Sequence, residues 1–460
     1  MDAARTDPVE EQIALWRAYV SRREAIAHAD VHELEGHLRD RIDQLTASGL
    51  ARDEAFLVAI KRMGSLDELS REFAREHSER LWKQLVVDAG AAPARSHRLT
   101  VAVVLAGLAA LAVKVPALFG IGFASSGDFY GRNLVLLVLP FLAALFLVRR
   151  RAGAGTIAAV AASFVVAALV VNGYPFAPEG ATLLLTVVHV AVALWLVVGV
   201  AYAGGDWRSG RARMDFIRFT GEWVVYLALI ALGGAVLVAL TMAVFAAVGV
   251  DAGGFVQEWL VPCGLAGAVV VSGWLVEAKQ SVIENIAPVL TKVFTPLFTA
   301  LLVAFIVVGL LQGDLIDPDG GGVSVFGQRD LLIVFDLVLI VVLGLLLYSL
   351  SARDPLAPAG WFERLQLVLV VAALVVDLIV LVAMVGRIGS FGASPNKLAS
   401  LGLNLILLVN LAGAAWLQVG FLRRRIPFAR LEAWQTSYVP VYLGWAVVVA
   451  AVLPPTFGFV

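Results

Sequence analysis

The sequence predicts an all-α fold: a polytopic helical membrane protein of about eleven transmembrane helices, with an N-terminal cytoplasmic helical bundle. Three observations predict it. The 460 residues are 60% hydrophobic and 15% charged, far more apolar than a soluble chain of this size. The charges crowd forward, residues 1–97 holding 14 of the 35 Lys+Arg and 18 of the 36 Asp+Glu. From residue 98 onward, apolar runs of about 20 residues follow one another, the length that crosses roughly 30 Å of hydrocarbon at 1.5 Å per residue. The chain therefore divides into a soluble head (1–92), a linker (93–97) and a membrane body (98–460).

Composition also excludes some functions. A net charge of −1 gives no ground for nucleic-acid binding. The single cysteine, Cys263, excludes an intrachain disulfide. Residues 1–30 lack the apolar core of a secretory signal.

In the head, Asp7-Pro8 reads as a cap with proline at the first helical position, opening a helix to about Ala27. Leu34, Leu38, Ile42 and Leu45 form one apolar stripe of a second helix, which Gly49 ends. Glu35 and Arg39 are spaced as an i,i+4 pair on its outer face. Arg52–Met63 is a third, short helix, and Ser65-Leu-Asp-Glu68 is a capping box opening a fourth. The small core of such a bundle suits docking on the membrane body or on a second copy, and the head is also where a partner protein would bind. His28, His32 and His37 lack a zinc-site spacing and read as solvated surface, so no metal or other cofactor is expected.

Glu33-Leu-Glu-Gly-His-Leu-Arg-Asp40, Ala55-Phe-Leu-Val-Ala-Ile-Lys-Arg-Met-Gly64 and Leu66-Asp-Glu-Leu69 carry a resemblance to the permease prefix domain of bacterial membrane proteins, over about residues 10–85. The resemblance implies a regulatory or assembly role for the head, and a bacterial plasma (inner) membrane for the body.

The body offers eleven candidate spans: about 98–119, 131–148, 154–172, 181–203, 221–248, 256–276, 294–312, 330–350, 363–386, 398–421 and 439–459. Of the eleven, the last, ending in Pro454-Pro455, has the weakest case for a full span, an interfacial position being its alternative. With the head placed in the cytoplasm, the inward loops hold fifteen Lys and Arg and the outward loops four, which fits the positive-inside rule and puts the C-terminus outside. Tryptophans near span ends, Trp223, Trp259 and Trp434 among them, read as aromatic belts, and Gly267, Gly273 and Gly233-Gly234 as close-packing points. Arg387-Ile-Gly-Ser-Phe-Gly-Ala-Ser-Pro-Asn-Lys397, with the Tyr348–Pro355 loop, resembles a polytopic bacterial membrane family of unknown function over roughly residues 290–459, which implies no site residues.

Five polar residues fall inside different spans: Lys114, His189, Asp336, Asp377 and Asn404. Counted from the outer helix ends they lie roughly 9, 12, 9, 14 and 10 Å deep, all in the outer half of the bilayer. An ionisable group at the bilayer centre costs ~2.5–3.5 kcal/mol, so these are expected to cluster, with Lys114 paired to Asp336 or Asp377. Gln366, Ala373 and Asp377 share one helix face, and Ser400, Asn404 and Gln418 another.

The cluster reads either as a polar cavity for an ion or small polar solute in a permease-like protein, or as a structural ion pair that fixes helix order. The alternative for the whole chain is a non-transporting membrane sensor or scaffold whose cytoplasmic head binds a partner. No nucleophile–base pair and no His-Glu-x-x-His motif occurs. Asp336 and Asp377 lack the glycine motifs expected of an aspartyl intramembrane protease, so no enzyme is expected.

Overall fold

The computed structural model describes residues 9–10, 13, 28–62, 93–123, 125–178, 180–247, 250–278, 286–312, 329–353 and 359–460. They fall into two units, Met1–Pro93 and Ala94–Val460. In the first, α1 (His28–Ala47) and α2 (Arg52–Arg62) form a helical hairpin. Leu38, Ile42 and Leu45 pack on Ala55, Phe56 and Ala59, with Val9 and Ile13 completing the core. The turn between them uses Gly49 at φ 99°, a left-handed conformation that costs a residue without Cβ nothing.

Arg39 does pair with Glu35, at 3.0 Å, but not on an outer face. It also reaches Glu10 at 2.7 Å, and Glu35 is buried. The guanidinium thus bridges two chain segments and holds the Glu10 carboxyl below the usual carboxylate range. The expected fourth helix and most of the first lie outside the described residues.

The second unit is an integral membrane protein. Among the described residues, eleven helices are long and apolar enough to cross a bilayer. In chain order they are α3 (Pro93–Lys114, continued by a 3₁₀ turn Val115–Phe119), α4 (Gly127–Arg149), α5 (Ala154–Gly173), α6 (Ala181–Tyr202), α7 (Gly210–Ala247) and α8 (Gly253–Ala278). Then follow α9 (Ile286–Gln312), α10 (Arg329–Ser351), α11 (Trp361–Phe391), α12 (Pro395–Leu422) and α13 (Phe428–Thr456).

Several boundaries differ from the sequence expectation. Residues 93–97 are the first turn of α3 rather than a linker, Pro93 being well suited to a first helical position. Helix α7 starts eleven residues early and its 38 residues reach about 57 Å, well beyond the hydrocarbon thickness. Helix α13 also starts eleven residues early, at Phe428, because Pro427 enters it in extended conformation. Its final turns are not peripheral: Val449 and Leu453 are buried with Ala399 of α12. The 387–397 segment is mostly helical, leaving only residues 392–394 between α11 and α12.

Two apolar cores result. One gathers α3 to α8 around Leu142, Phe146, Leu194 and Phe219. The other gathers α9 to α13 around Leu339, Leu346, Leu369 and Leu407. Helices α6 and α7 touch α13, and α7 touches α10, so the two halves share a seam. In the second half, the rings of Trp434 and Trp445 of α13 pack against Gly413 and Gly402 of α12, where any side chain would overlap them. Gly233 and Gly234, by contrast, have no atom near an added Cβ, so they are not packing points here. Trp434 and Trp223 donate to the carbonyls of Asn410 and Val269, both at 3.0 Å, and so anchor helices rather than a belt.

Four prolines explain how the helices are tied together. A proline inside a helix cannot donate to the carbonyl four residues earlier, and in hydrocarbon that carbonyl needs another donor. Pro262 frees the carbonyl of Glu258, which accepts from Lys114 Nζ of α3. Pro440 frees Thr436, which accepts from Arg213 of α7 at 2.8 Å. Pro454 frees Ala450, which accepts from Thr186 of α6 at 3.3 Å. Pro455 frees Ala451, which accepts from Tyr174 at 3.1 Å. The π-turns Val256–Leu260 and Val448–Val452 lie just before Pro262 and Pro454, where the ladder is already interrupted.

Tyr174→Phe should lower the stability of the detergent-solubilised protein by about 1 kcal/mol. In a Pro455→Ala background, where residue 455 regains its N–H, the same change should cost measurably less. A thermal double-mutant cycle reads the coupling. Equal costs in both backgrounds would refute the link between proline and donor.

Candidate functional site

The last five helices enclose a seam of buried polar side chains. Helices α11 and α12 run antiparallel, and at one end Gln418 Nε2 donates to Gln366 Oε1 at 3.1 Å and to the Glu363 carbonyl at 3.0 Å. Glu363 itself pairs with Arg353 at 2.9 Å. Two turns up α12, Asn410 Nδ2 donates to Gln435 Oε1 of α13 at 3.1 Å. Two turns further, Asn404 Nδ2 donates to Asp336 Oδ1 of α10 at 3.0 Å. Gln366, Asn404, Asn410, Gln418 and Gln435 are each at most 3% exposed.

Asp377 lies about 16 Å along α11 from Gln366. It is 0% exposed, and neither carboxylate oxygen has a hydrogen-bond partner among the described residues. Asp336 is near enough to interact with it electrostatically, and Ser400 lies beside Asp336. The amides around them leave complementary atoms free as well: Gln366 Nε2, Gln418 Oε1, Asn410 Oδ1, Gln435 Nε2 and Asn404 Oδ1 are buried without a partner among the described residues. A buried polar atom normally has a partner. Here several of the exceptions sit on α12 and the helices around it, together with the Asp377 carboxylate.

Three of the five intramembrane residues expected to cluster thus come together: Asp336, Asp377 and Asn404. The other two do not join them. Lys114 pairs with Glu258 Oε2 at 3.3 Å and stands 4.5 Å from the Trp259 ring centre, with 7% of its side chain exposed. The same Glu258 Oε2 accepts from the Phe123 N–H at 3.0 Å. Lys114 therefore has a carboxylate, a carbonyl and an aromatic face nearby, which is why it is not drawn to the aspartates. His189 is half-buried, with Nδ1 2.8 Å from the Leu185 carbonyl of its own helix.

The seam's other members were missed for identifiable reasons. Gln435 fell outside the apolar run of the last span, although Phe428, Leu431, Gln435 and Val439 recur at helical spacing. Outside the seam, Pro262, four residues on from Glu258, is the signal that the Glu258 carbonyl needs the donor that Lys114 supplies.

Burying a carboxylate without partners costs stability that an apolar residue of similar size would return. Asp377→Val should therefore raise the unfolding midpoint in detergent, by the equivalent of about 1–3 kcal/mol. Asn404→Ala, which strips Asp336 of its donor, should lower it. A fall in midpoint for Asp377→Val would mean that its carboxylate is compensated after all.

No family model matches the chain, and neither a curated protein nor a solved structure does.

Proposed function

We propose that this chain is a permease-like protein of a bacterial inner membrane and that Asp377, with Asp336, forms its proton- or small-cation-exchanging centre. One observation carries the reading: a carboxylate at 0% exposure, with both oxygens unpartnered among the described residues, beside a second carboxylate. Ionisable groups in membrane helices are costly, and where they persist they commonly mark ion and proton pathways. A carboxylate so placed carries a proton or meets a cation, and exchange between the two is the elementary step of coupled transport.

The amide pairs support a route to that centre. Gln366–Gln418 and Asn410–Gln435 lie between the Arg353–Glu363 end of the bundle and the carboxylates, and each retains an unused donor and an unused acceptor. Such groups lend themselves to a file of water or a partly dehydrated ion. The fifteen-to-four bias of Lys and Arg favours the Arg353–Glu363 end as cytoplasmic, with the head on that side and the C-terminus outside. The permease-prefix resemblance of the head agrees with that orientation, and gives the head a regulatory or assembly role.

Purified protein in proteoliposomes with an entrapped pH dye should dissipate an imposed pH gradient or a counter-cation gradient. Asp377→Asn should cut that flux at least tenfold while leaving the unfolding midpoint at or above that of the wild type. Equal flux in wild type and variant would remove Asp377 from the mechanism and the proposal with it.

A further inference from the structure

A second charged region lies away from the carboxylate seam, at the arginine-rich end of the first half. There a cavity of about 400 Å³ opens among Arg150, Tyr202, Asp215, Arg218, Phe219 and Glu222. That volume falls within the range of small-molecule sites. Ala212, Asp215, Phe219 and Glu222 recur at steps of three, four and three, so one stripe of α7 faces it. Asp215 is half-buried near the start of α7, and Glu222, about 10 Å further along, is buried.

The positive groups are held in place. Arg150 donates from Nε to the Tyr202 carbonyl at 3.0 Å and from Nη2 to Glu277 at 3.0 Å, with its guanidinium 4.9 Å from the Tyr202 ring centre. Glu277 also meets Arg149 at 3.6 Å, so one carboxylate serves two arginines. Arg218 donates to the carbonyl of Ser351, the last residue of α10. The lining itself holds two arginines, Arg150 and Arg218, and two carboxylates, Asp215 and Glu222, so its formal charges cancel.

A further group adjoins it. Tyr348 of α10 packs against Gly221, one residue from Glu222, and interacts electrostatically with Glu222 and Arg218. Its hydroxyl is buried without a hydrogen-bond partner among the described residues.

We infer that this cavity binds a zwitterionic amine. Its ammonium turns toward Glu222 and its anionic oxygens meet Arg150 and Arg218. A balanced lining disfavours a polyanion, and two arginines disfavour a simple cation. The shared chemistry covers an ethanolamine phospholipid headgroup and a free zwitterion such as phosphoethanolamine. The site does not depend on Asp377 or on transport.

Two measurements on the full-length protein in detergent test this. Native mass spectrometry compares retention of phosphatidylethanolamine, its N-acetyl derivative (which lacks the cation) and phosphatidylglycerol. Thermal shift tests free phosphoethanolamine. About a tenfold or greater preference for phosphatidylethanolamine over both other lipids supports a lipid ligand. A thermal shift with phosphoethanolamine without that lipid preference supports a soluble one. Either effect should be lost in Glu222→Gln. Asp215→Asn, at the half-buried mouth, should weaken it and serves if Glu222→Gln does not fold. Absence of both the lipid preference and the phosphoethanolamine shift on the wild type, or unaltered binding in the variants, overturns the inference.

Discussion

A backbone carbonyl inside hydrocarbon must find a donor, and the arrangement of this membrane body follows from that requirement. Where the helical ladder is whole, neighbouring N–H groups meet it. At four positions where proline breaks the ladder, a lysine, an arginine, a threonine and a tyrosine from other segments meet it instead. Three of these four bonds end on α13, from α6, α7 and the segment after α5. The last helix is thereby fixed against the first half of the chain, while its Phe428 and Leu431 end packs into the core of the second.

Charge follows a similar economy. Lys114, Arg150, Arg213 and Arg218 all donate to main-chain carbonyls, and Glu258, Glu277 and Glu363 are held by basic residues. Asp377 is treated differently, with no donor aimed at it among the described residues. The contrast within one molecule is what marks it: the fold can compensate buried charges and does so repeatedly, yet leaves this one uncompensated. Stability surrendered locally at a single carboxylate is the pattern expected where function, not folding, sets the residue.

The architecture was legible because hydrophobic length is a strong signal: all eleven apolar runs became helices. Their ends were less legible. Helices α7 and α13 each carry an amphipathic first stretch whose polar residues, such as Arg213 and Gln435, broke the apolar run while remaining helical. Depth alone suggested that Lys114 and His189 would join the aspartates. Depth says nothing about which way round the bundle a helix faces, and those two residues sit in the other half of the molecule. The Asp336–Asn404 contact was legible only as a shared level, because the pairing depends on how α10, α11 and α12 pack.

The carbonyl ties also bear on how such a fold can diverge. A bond whose acceptor is main chain needs no particular side chain at that position, so packing alone limits what stands at Ala450 and Ala451. What must travel together is a donor on one segment and a proline four places downstream of its acceptor on another. Among distant relatives, the informative covariation would join Tyr174 to Pro455 and Thr186 to Pro454, residue pairs that a search for side-chain complementarity would pass over.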